Sequence, residues 1–335
     1  MLECMDAAAV YDWNRATQHR RLVRPGVTFL DETLRDGIQN PSVRDPSTAE
    51  KLALLHMMSG MGMHAVNLGL PASSKRNFDD VLAGAREIAR AKLPILAAAA
   101  GRTVIADMAP IVDISQRVGI AIEAYTFIGS SPIRQLVESW DVASIARRSA
   151  EAIDFAVKRG LFVSYVTEDT TRSSPAVLDA LFRNAIEHGA RGICLADTVG
   201  HASPDGVRAL IDFTRGVIAR TGVCGVRIDW HGHNDRGLAL SNAMWALEHG
   251  VDRVHATALG IGERVGNVPV EMLLLNLRML GEIDWPDGVT LTAYVEAAAR
   301  ALGATVPPGH PLARRQHPHR VMTPVMPLVA RPTSY

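Results

Sequence analysis

From residue 26 onward the chain repeats one pattern eight times: a short apolar run bounded by Gly, Asp or Pro, then an Ala/Leu/Arg-rich stretch with helical periodicity. The apolar runs fall at 27–31, 65–69, 95–100, 120–128, 162–166, 192–196, 226–230 and 254–259. The helix-period stretches fall at 47–62, 75–91, 103–118, 137–159, 175–188, 204–220, 236–249 and 267–281. Strands alternating with helices in this way build parallel sheets, because each crossover helix carries the chain back to the starting edge. Pro46, Pro175 and Pro204 stand where helices enter their first turn, and Gly160, Gly189 and Gly250 where helices stop. Eight units are the number that closes a (β/α)8 TIM barrel, expected here over 26–283. An open doubly wound sheet competes poorly, since no Gly-x-Gly-x-x-Gly follows the first strand and the repeat continues to eight.

The flanks break the rhythm. Residues 1–25 include the basic cluster Arg15, His19, Arg20, Arg21 and Arg24 and read as an N-terminal extension. Residues 284–335 hold one helix over 292–302, after which Pro307, Pro308, Pro311, Pro318, Pro324, Pro327 and Pro332 exclude a long regular element, so a short irregular tail is expected. Acidic and basic residues balance at 35 each, which gives no electrostatic case for nucleic acid or an anionic membrane surface and points to small-molecule substrates. The N-terminus lacks the layout of a signal peptide, and Cys4, Cys194 and Cys224 are too scattered for a disulfide framework, so a cytoplasmic protein is expected.

In an eight-stranded closed barrel the last strand lies beside the first, and the C-terminal ends of all strands open on one mouth. Three stretches with chemistry meet there: Asp31 to Gly37 after strand 1, His231-Gly232-His233 after strand 7, and Gly260 to Asn267 after strand 8. Alternate residues of a strand share a face, so both imidazoles can reach one ion. Asp36, His231 and His233 offer two nitrogens and one oxygen, a set suited to Zn, Mn, Fe or Co with positions left for substrate or water, and Asn267 adds a weaker fourth oxygen. Asp235 or Asn234 could orient an imidazole through its second nitrogen, and Asp235 could equally pair with Arg236. Arg35 would bring a positive fork to substrate oxygens, with a salt bridge to Glu32 or Glu168 as the plainer alternative. Glu168-Asp169 and Asp197-Thr198 close strands 5 and 6 and supply acid-base groups and a hydroxyl donor, and the glycines at 260, 262 and 266 could turn amides toward an anion.

These stretches resemble a known family. Asp31-Glu32-Thr33-Leu34-Arg35-Asp36-Gly37-Ile38-Gln39 is similar to the opening motif of the metal-dependent DRE-TIM group, in particular the 2-isopropylmalate and homocitrate synthases, in the wider HMG-CoA lyase-like superfamily. Tyr165 to Asp169, Arg172-Ser173, Ala196 to Gly200, His231 to Asp235 and Gly260 to Asn267 resemble its further motifs, in order, over 27–281. The resemblance implies a divalent metal (Mn, Zn, Mg or Co) on Asp36, His231, His233 and Asn267, with a 2-oxo acid chelated on it. It implies acetyl-CoA or another acyl-CoA as co-substrate, Arg35 and Glu168 as catalytic residues, and Arg35, Gln39 and Thr198 on the substrate. A homodimer is also implied.

Departures from the family pattern narrow the reading. Asn67 stands where the synthases usually carry Glu, and Ser164 where homocitrate synthases tend to carry an Arg for a far carboxylate, which disfavours a dicarboxylic 2-oxo acid. The stretch from Pro311 to His319 lacks the Phe-x-His-x-x-Gly-x-His segment of the synthases, so His317 and His319 receive no catalytic assignment. A lyase of the hydroxymethylglutaryl-CoA type is the competing activity, but its strand 8 loop carries a catalytic Cys where this one reads Gly-Ile-Gly-Glu-Arg. A barrel without activity, serving as a partner protein, is the alternative of another class.

Overall fold

The computed structural model describes Trp13 and residues 22–313. The basic residues at 15–21 and His317 and His319 lie outside the described residues. Eight strands, β1 (Thr28–Asp31), β2 (Ala65–Asn67), β3 (Leu96–Arg102), β4 (Ile122–Gly129), β5 (Phe162–Glu168), β6 (Gly192–Asp197), β7 (Arg227–Gly232) and β8 (Arg253–Ala256), pair in sequence order and close into a barrel. Closure is made by the parallel ladder from Thr28↔Arg253 to Asp31↔Ala256. Around it lie α1 (Thr48–Gly60), α2 (Lys75–Ala91), α3 (Ile105–Val118), α4 (Pro132–Glu138), α5 (Val142–Val157), α6 (Pro175–Glu187), α7 (Pro204–Thr221), α8 (Ala239–Glu248), α9 (Val270–Met279) and α10 (Gly288–Leu302). This is the TIM barrel the repeat predicts. No helix among the described residues is long and apolar enough to cross a membrane.

Local sequence explains the helix starts. Ser47 accepts from the backbone of Glu50 while Glu50 accepts from the backbone of Ser47, a reciprocal cap that starts α1 directly after Pro46. Ser174 and Ser203 cap α6 and α7, whose first residues are Pro175 and Pro204. One expectation is corrected. The single helix over 137–159 is two, α4 and α5, because Ser139 turns left-handed at φ 53° and Asp141 restarts the helix by accepting from Ser144 N at 2.7 Å.

Strand alternation sorts side chains between two environments. Phe29, Val66, Tyr165, Ile193, Trp230 and Val254 point outward into the apolar layer beneath the helices. Leu30, Ala65, Ala98, Ala100, Tyr125 and Cys194 point into the barrel, and small alanines on β2 and β3 leave space there. Deeper in, the interior is charged. Arg227 bridges Asp229 (2.6 Å) and Glu123, Arg253 reaches Glu123 at 2.8 Å, Ser164 donates to Glu123 at 2.6 Å, and the Tyr125 hydroxyl donates to Asp229 at 2.7 Å. Burial would raise both carboxyls, but the arginines beside them hold Glu123 and Asp229 below the ordinary range. A Cβ at Gly192 would come within 2.0 Å of Ser164 Oγ, so this network needs glycine on the neighbouring strand.

Helix α10 packs its face of Leu291, Tyr294, Val295 and Ala298 against α1 and the turn after β8. Its Tyr294 hydroxyl donates to Asp31 Oδ2 at 2.6 Å and lies 3.2 Å from Thr33 Oγ1. Beyond it, His310 meets Glu271 at 3.0 Å, which ties the chain back to α9. Burial pushes the Asp31 carboxyl from 3.8 up to about 6 against the opposing hydrogen bonds from Thr33 and Tyr294. A raised folded-state value for an acid means stability present at low pH that is lost as pH rises through it. Asp31→Asn should therefore gain stability relative to the parent between about pH 4 and 6, by about 2–3 kcal/mol. Tyr294→Phe, which leaves Asp31 short of a donor, should cost about 1–3 kcal/mol at pH 7. Urea unfolding of the three proteins across that pH range checks both.

Candidate metal centre and the cavity around it

Strand β7 runs out through His231 and Gly232, and His233 forms an isolated bridge to Asn267, which draws the loop after β8 over the end of β7. After β1 the chain turns through a short helical turn at Gly37–Gln39 with Asp36 at its start. Asp36 Oδ2 then lies 3.2 Å from His231 Nε2 and 3.8 Å from His233 Nε2, and the two Nε2 atoms are 3.2 Å apart. All three side chains are buried, and they form a group whose spacing suits one metal ion. Burial would raise the Asp36 carboxyl, but Arg35 and the two imidazoles hold it well below its usual value. Burial, with His231 alongside, pushes His233 down to about 3, the neutral form a ligand needs.

The residues fit a divalent ion. Two imidazole nitrogens aimed at one another can share only one proton, and a cation between them and the carboxylate satisfies all three. Asn267 donates its amide to Asp36 Oδ1 at 3.0 Å while its own Oδ1 is buried without a partner among the described residues, an oxygen that could serve as fourth ligand. A Cβ at Gly262 would strike Asn267 Nδ2 at 1.8 Å, so the loop needs glycine to pass this close. A second grouping of Glu32, His231 and His255 exists, but Glu32 is already bonded to Arg35 and Asn67, and His255 to Asp229.

The other expected residues line one cavity with this centre: Arg35, Gln39, Glu168 and Thr198. Arg35 Nε donates to Glu32 Oε2 at 2.6 Å, and its Nη1 lies 3.3 Å from Asp36 and 3.4 Å from Gln39 Oε1. Thr198 Oγ1 accepts from Asp169 N at 2.8 Å, which leaves its proton free to donate. Glu168 is partly open, 3.8 Å from Arg134, and burial raises its carboxyl pKa.

A family model described as HMGL-like matches residues 26–300, most of α10 included. The chain belongs to the HMGL-like family. It is 30% identical over 287 residues to the 2-isopropylmalate synthase of Pyrococcus furiosus, which covers 84% of this chain and 56% of that protein. It is 33% identical over 263 residues to homocitrate synthase AksA of Methanothermobacter thermautotrophicus, covering 77% of this chain and 62% of that one. The chain thus spans about half the length of the curated relatives it matches. Among solved structures, the HMG-CoA lyase from Brucella melitensis superposes with TM-score 0.68 at 21% identity, covering 83% of this chain and 99% of that one. The lyase from Pseudomonas aeruginosa gives 0.69 at 20%, covering 83% and 94%. At those identities the likeness is one of fold.

Within this HMGL-like barrel several expected roles are corrected. Asp235 orients neither imidazole and does not pair with Arg236; it takes Arg264 at 2.9 Å, and Asn234 Oδ1 accepts from Ala239 N at 3.2 Å. His233 Nδ1 is consequently buried without a partner among the described residues. Asp169 is closed in a two-armed pair with Arg172, and Asp197 is taken up by Thr171 and the amides of His201 and Ala202, so neither is free for proton transfer. The amides of Gly260, Ile261, Glu263, Gly266 and Asn267 bond within the protein, so of the three glycines Gly260 and Gly266 are not available to an anion, and Glu263 N braces Asp36.

Sequence reasoning missed Tyr125 and His255, which line the cavity, and it did not place Cys194 there. A signal was present: Arg227 and Asp229 alternate within the run 226–230 and lead in step to His231, and His255 stands inside the run 254–259, two residues after Arg253. Replacement of His233 by Ala should abolish stoichiometric metal binding, read by mass spectrometry of the metal-loaded protein, while circular dichroism reports an intact barrel. Unchanged metal content in that variant would remove the centre.

Proposed function

We propose that this chain is the catalytic barrel of a divalent-metal-dependent acyltransferase that condenses acetyl-CoA or another acyl-CoA with a 2-oxo acid to a 2-alkylmalate-type product. The observation that carries this reading is the single cavity in which Asp36, His231 and His233 stand beside Arg35, Glu168 and Thr198. The relatives named as 2-isopropylmalate and homocitrate synthases support it. Asp36, His231, His233 and Asn267 would hold the ion, which supplies Lewis acidity toward the keto group. Arg35 donates to the keto oxygen as negative charge develops there. Thr198, whose oxygen already accepts from Asp169, donates to the substrate carboxylate, with Gln39 at the rim. Condensation removes a proton from the acyl α-carbon, joins that carbon to the keto carbon and returns a proton to the resulting alkoxide, and hydrolysis of the thioester then frees CoA. Glu168, with its raised pKa and loose pairing, is placed to move protons in this sequence.

The walls favour an apolar substrate side chain. Leu70, Ala100, Phe127, Val166 and Cys194 line the side away from the metal ligands. Below them Arg227 and Arg253 are matched by Glu123 and Asp229, and Ser164 donates to Glu123 while accepting from Arg227, so no cation among the described residues of that layer is spare for a second carboxylate. The lyase reading gains nothing from Cys194. It sits in β6, not in the loop after β8, and burial raises its thiol well above the ordinary range.

The test is release of free thiol from acetyl-CoA and longer acyl-CoA esters with a panel of 2-oxo acids and Mn²⁺. Thiol should appear only when both substrates are present, with unbranched or branched aliphatic monocarboxylates ahead of 2-oxoglutarate. Cleavage of hydroxyacyl-CoA esters without condensation would favour the lyase instead. In the same assay Arg35→Lys, which loses the planar fork, should lower kcat by about 10²–10³-fold.

A further inference from the structure

Glu32 of the mouth motif lines the cavity at 1% exposure, and three elements hold it. Arg35 Nε donates to Oε2 at 2.6 Å. Asn67 Nδ2 donates to Oε1 at 3.2 Å, and His255 Nδ1 lies 3.3 Å from the same oxygen. The other face of the His255 ring, Nε2, lies 3.3 Å from Asp229 Oδ2, and Asp229 is fixed by Arg227 and Tyr125. An unbroken line of polar contacts therefore runs from the centre of the barrel to the Arg35 guanidinium, which ends it 3.3 Å from the metal-ligand Asp36. Arg35 Nη2 makes no hydrogen bond among the described residues, and the side chain lines the cavity. A carboxylate this deeply buried persists only when its oxygens are fully met by donors, and three donors from β2, β8 and the β1 turn leave it one orientation.

Asn67 gives the line its meaning. A glutamate there would set a second carboxylate against Glu32 Oε1, where the amide now donates. Glu32 and Asn67 are thus mutually required: the acid stands on β1 and its donor on β2. We propose that Glu32, clamped by Asn67 and His255, is the positioning residue that aims Arg35 into the cavity, and that this pocket takes one carboxylate, carried here just after β1, which could be exchanged for one on β2. The catalytic consequence rests on the condensing activity proposed above; the exchange of the carboxylate between strands does not.

Four proteins test this: the parent, Glu32→Ala, Asn67→Glu and the double variant. Each single change should lower Tm, the first by leaving Arg35 and His255 without their acid and the second by opposing two buried carboxylates. The double variant should recover most of the loss, because one acid again faces Arg35 and His255 with room left by the alanine. In the condensation assay each single variant should lose about 10²-fold in kcat with little change in KM for acyl-CoA, and the double should regain roughly tenfold or more. Losses in Tm that simply add would overturn the exchange. Recovery of Tm without recovery of kcat would overturn the positioning role and reduce the contact to packing. If the parent releases no thiol with any substrate pair, the condensing reading fails, the melting cycle still decides the exchange, and calorimetric binding of oxalate to the Mn²⁺-loaded proteins replaces kcat as the reading of Arg35. Oxalate affinity that falls in Glu32→Ala and returns in the double supports positioning, and affinity unchanged across the four overturns it.

Discussion

The ladder between β1 and β8 is the contact on which the site depends. Without the pairing from Thr28↔Arg253 to Asp31↔Ala256, Asp36 and the two histidines near residue 232 would belong to opposite ends of an open sheet. With it, strands that are first and last in the chain become neighbours, and the loop after β8 can lay Asn267 against both Asp36 and His233. Parallel strands pair through slanted, evenly spaced bonds with no local turn to set register. That register is stabilised instead by side chains near the closure, such as Arg253 on Thr28 at 2.9 Å and Tyr294 on Asp31. Helix α10 therefore matters to the mouth although it lies outside the eightfold repeat.

A second constraint follows from what fills the barrel. Many barrels of this kind pack branched apolar layers inside. Here Arg227, Arg253, Glu123 and Asp229 occupy much of the deep interior, two charges of each sign, each with hydrogen-bond partners. Buried ion pairs of this sort contribute little net stability over an apolar core, since desolvation offsets their attraction. Their effect is geometric. Removal of any one member leaves another charge uncompensated, so the strands are held in one arrangement, and the side chains resting on this layer inherit its rigidity. Such preorganisation is what lets a donor act on charge that appears only during reaction.

Much of this was legible in the sequence because it depends on local rules. The eightfold rhythm, the Pro-started helices α6 and α7, and the stop glycines follow from backbone sterics that neighbours in space do not change. The meeting of Asp36, His231 and His233 follows from topology once closure is granted. What escaped notice depends on which face of a strand points inward and on what stands opposite. Whether Asp235 serves His233 or Arg264 is settled by a loop 29 residues away in the chain, and the break between α4 and α5 by a cap that competes with helix periodicity. His255 was hidden inside a run read for its hydrophobicity, although its partners come from β1 and β7.

The cavity is consequently divided by strand number. Strands β7, β8 and β1 and the turns after them supply its imidazoles, its guanidinium and all of its carboxylates but Glu168, while β2 to β6 and their ends supply Leu70, Ala100, Phe127, Val166 and Ala196, with Glu168 and Thr198 at the rim. A small molecule with a polar head and an apolar tail can satisfy both halves in only one sense, with the head toward the closure seam. The reverse placement would bury the head's charge against carbon and leave Asp36 and Arg35 facing the tail, a cost of several kcal/mol for the unpaired polar groups. The orientation of such a molecule is thus set before any specific hydrogen bond is made, by the same seam that brings Asp36, His231 and His233 together.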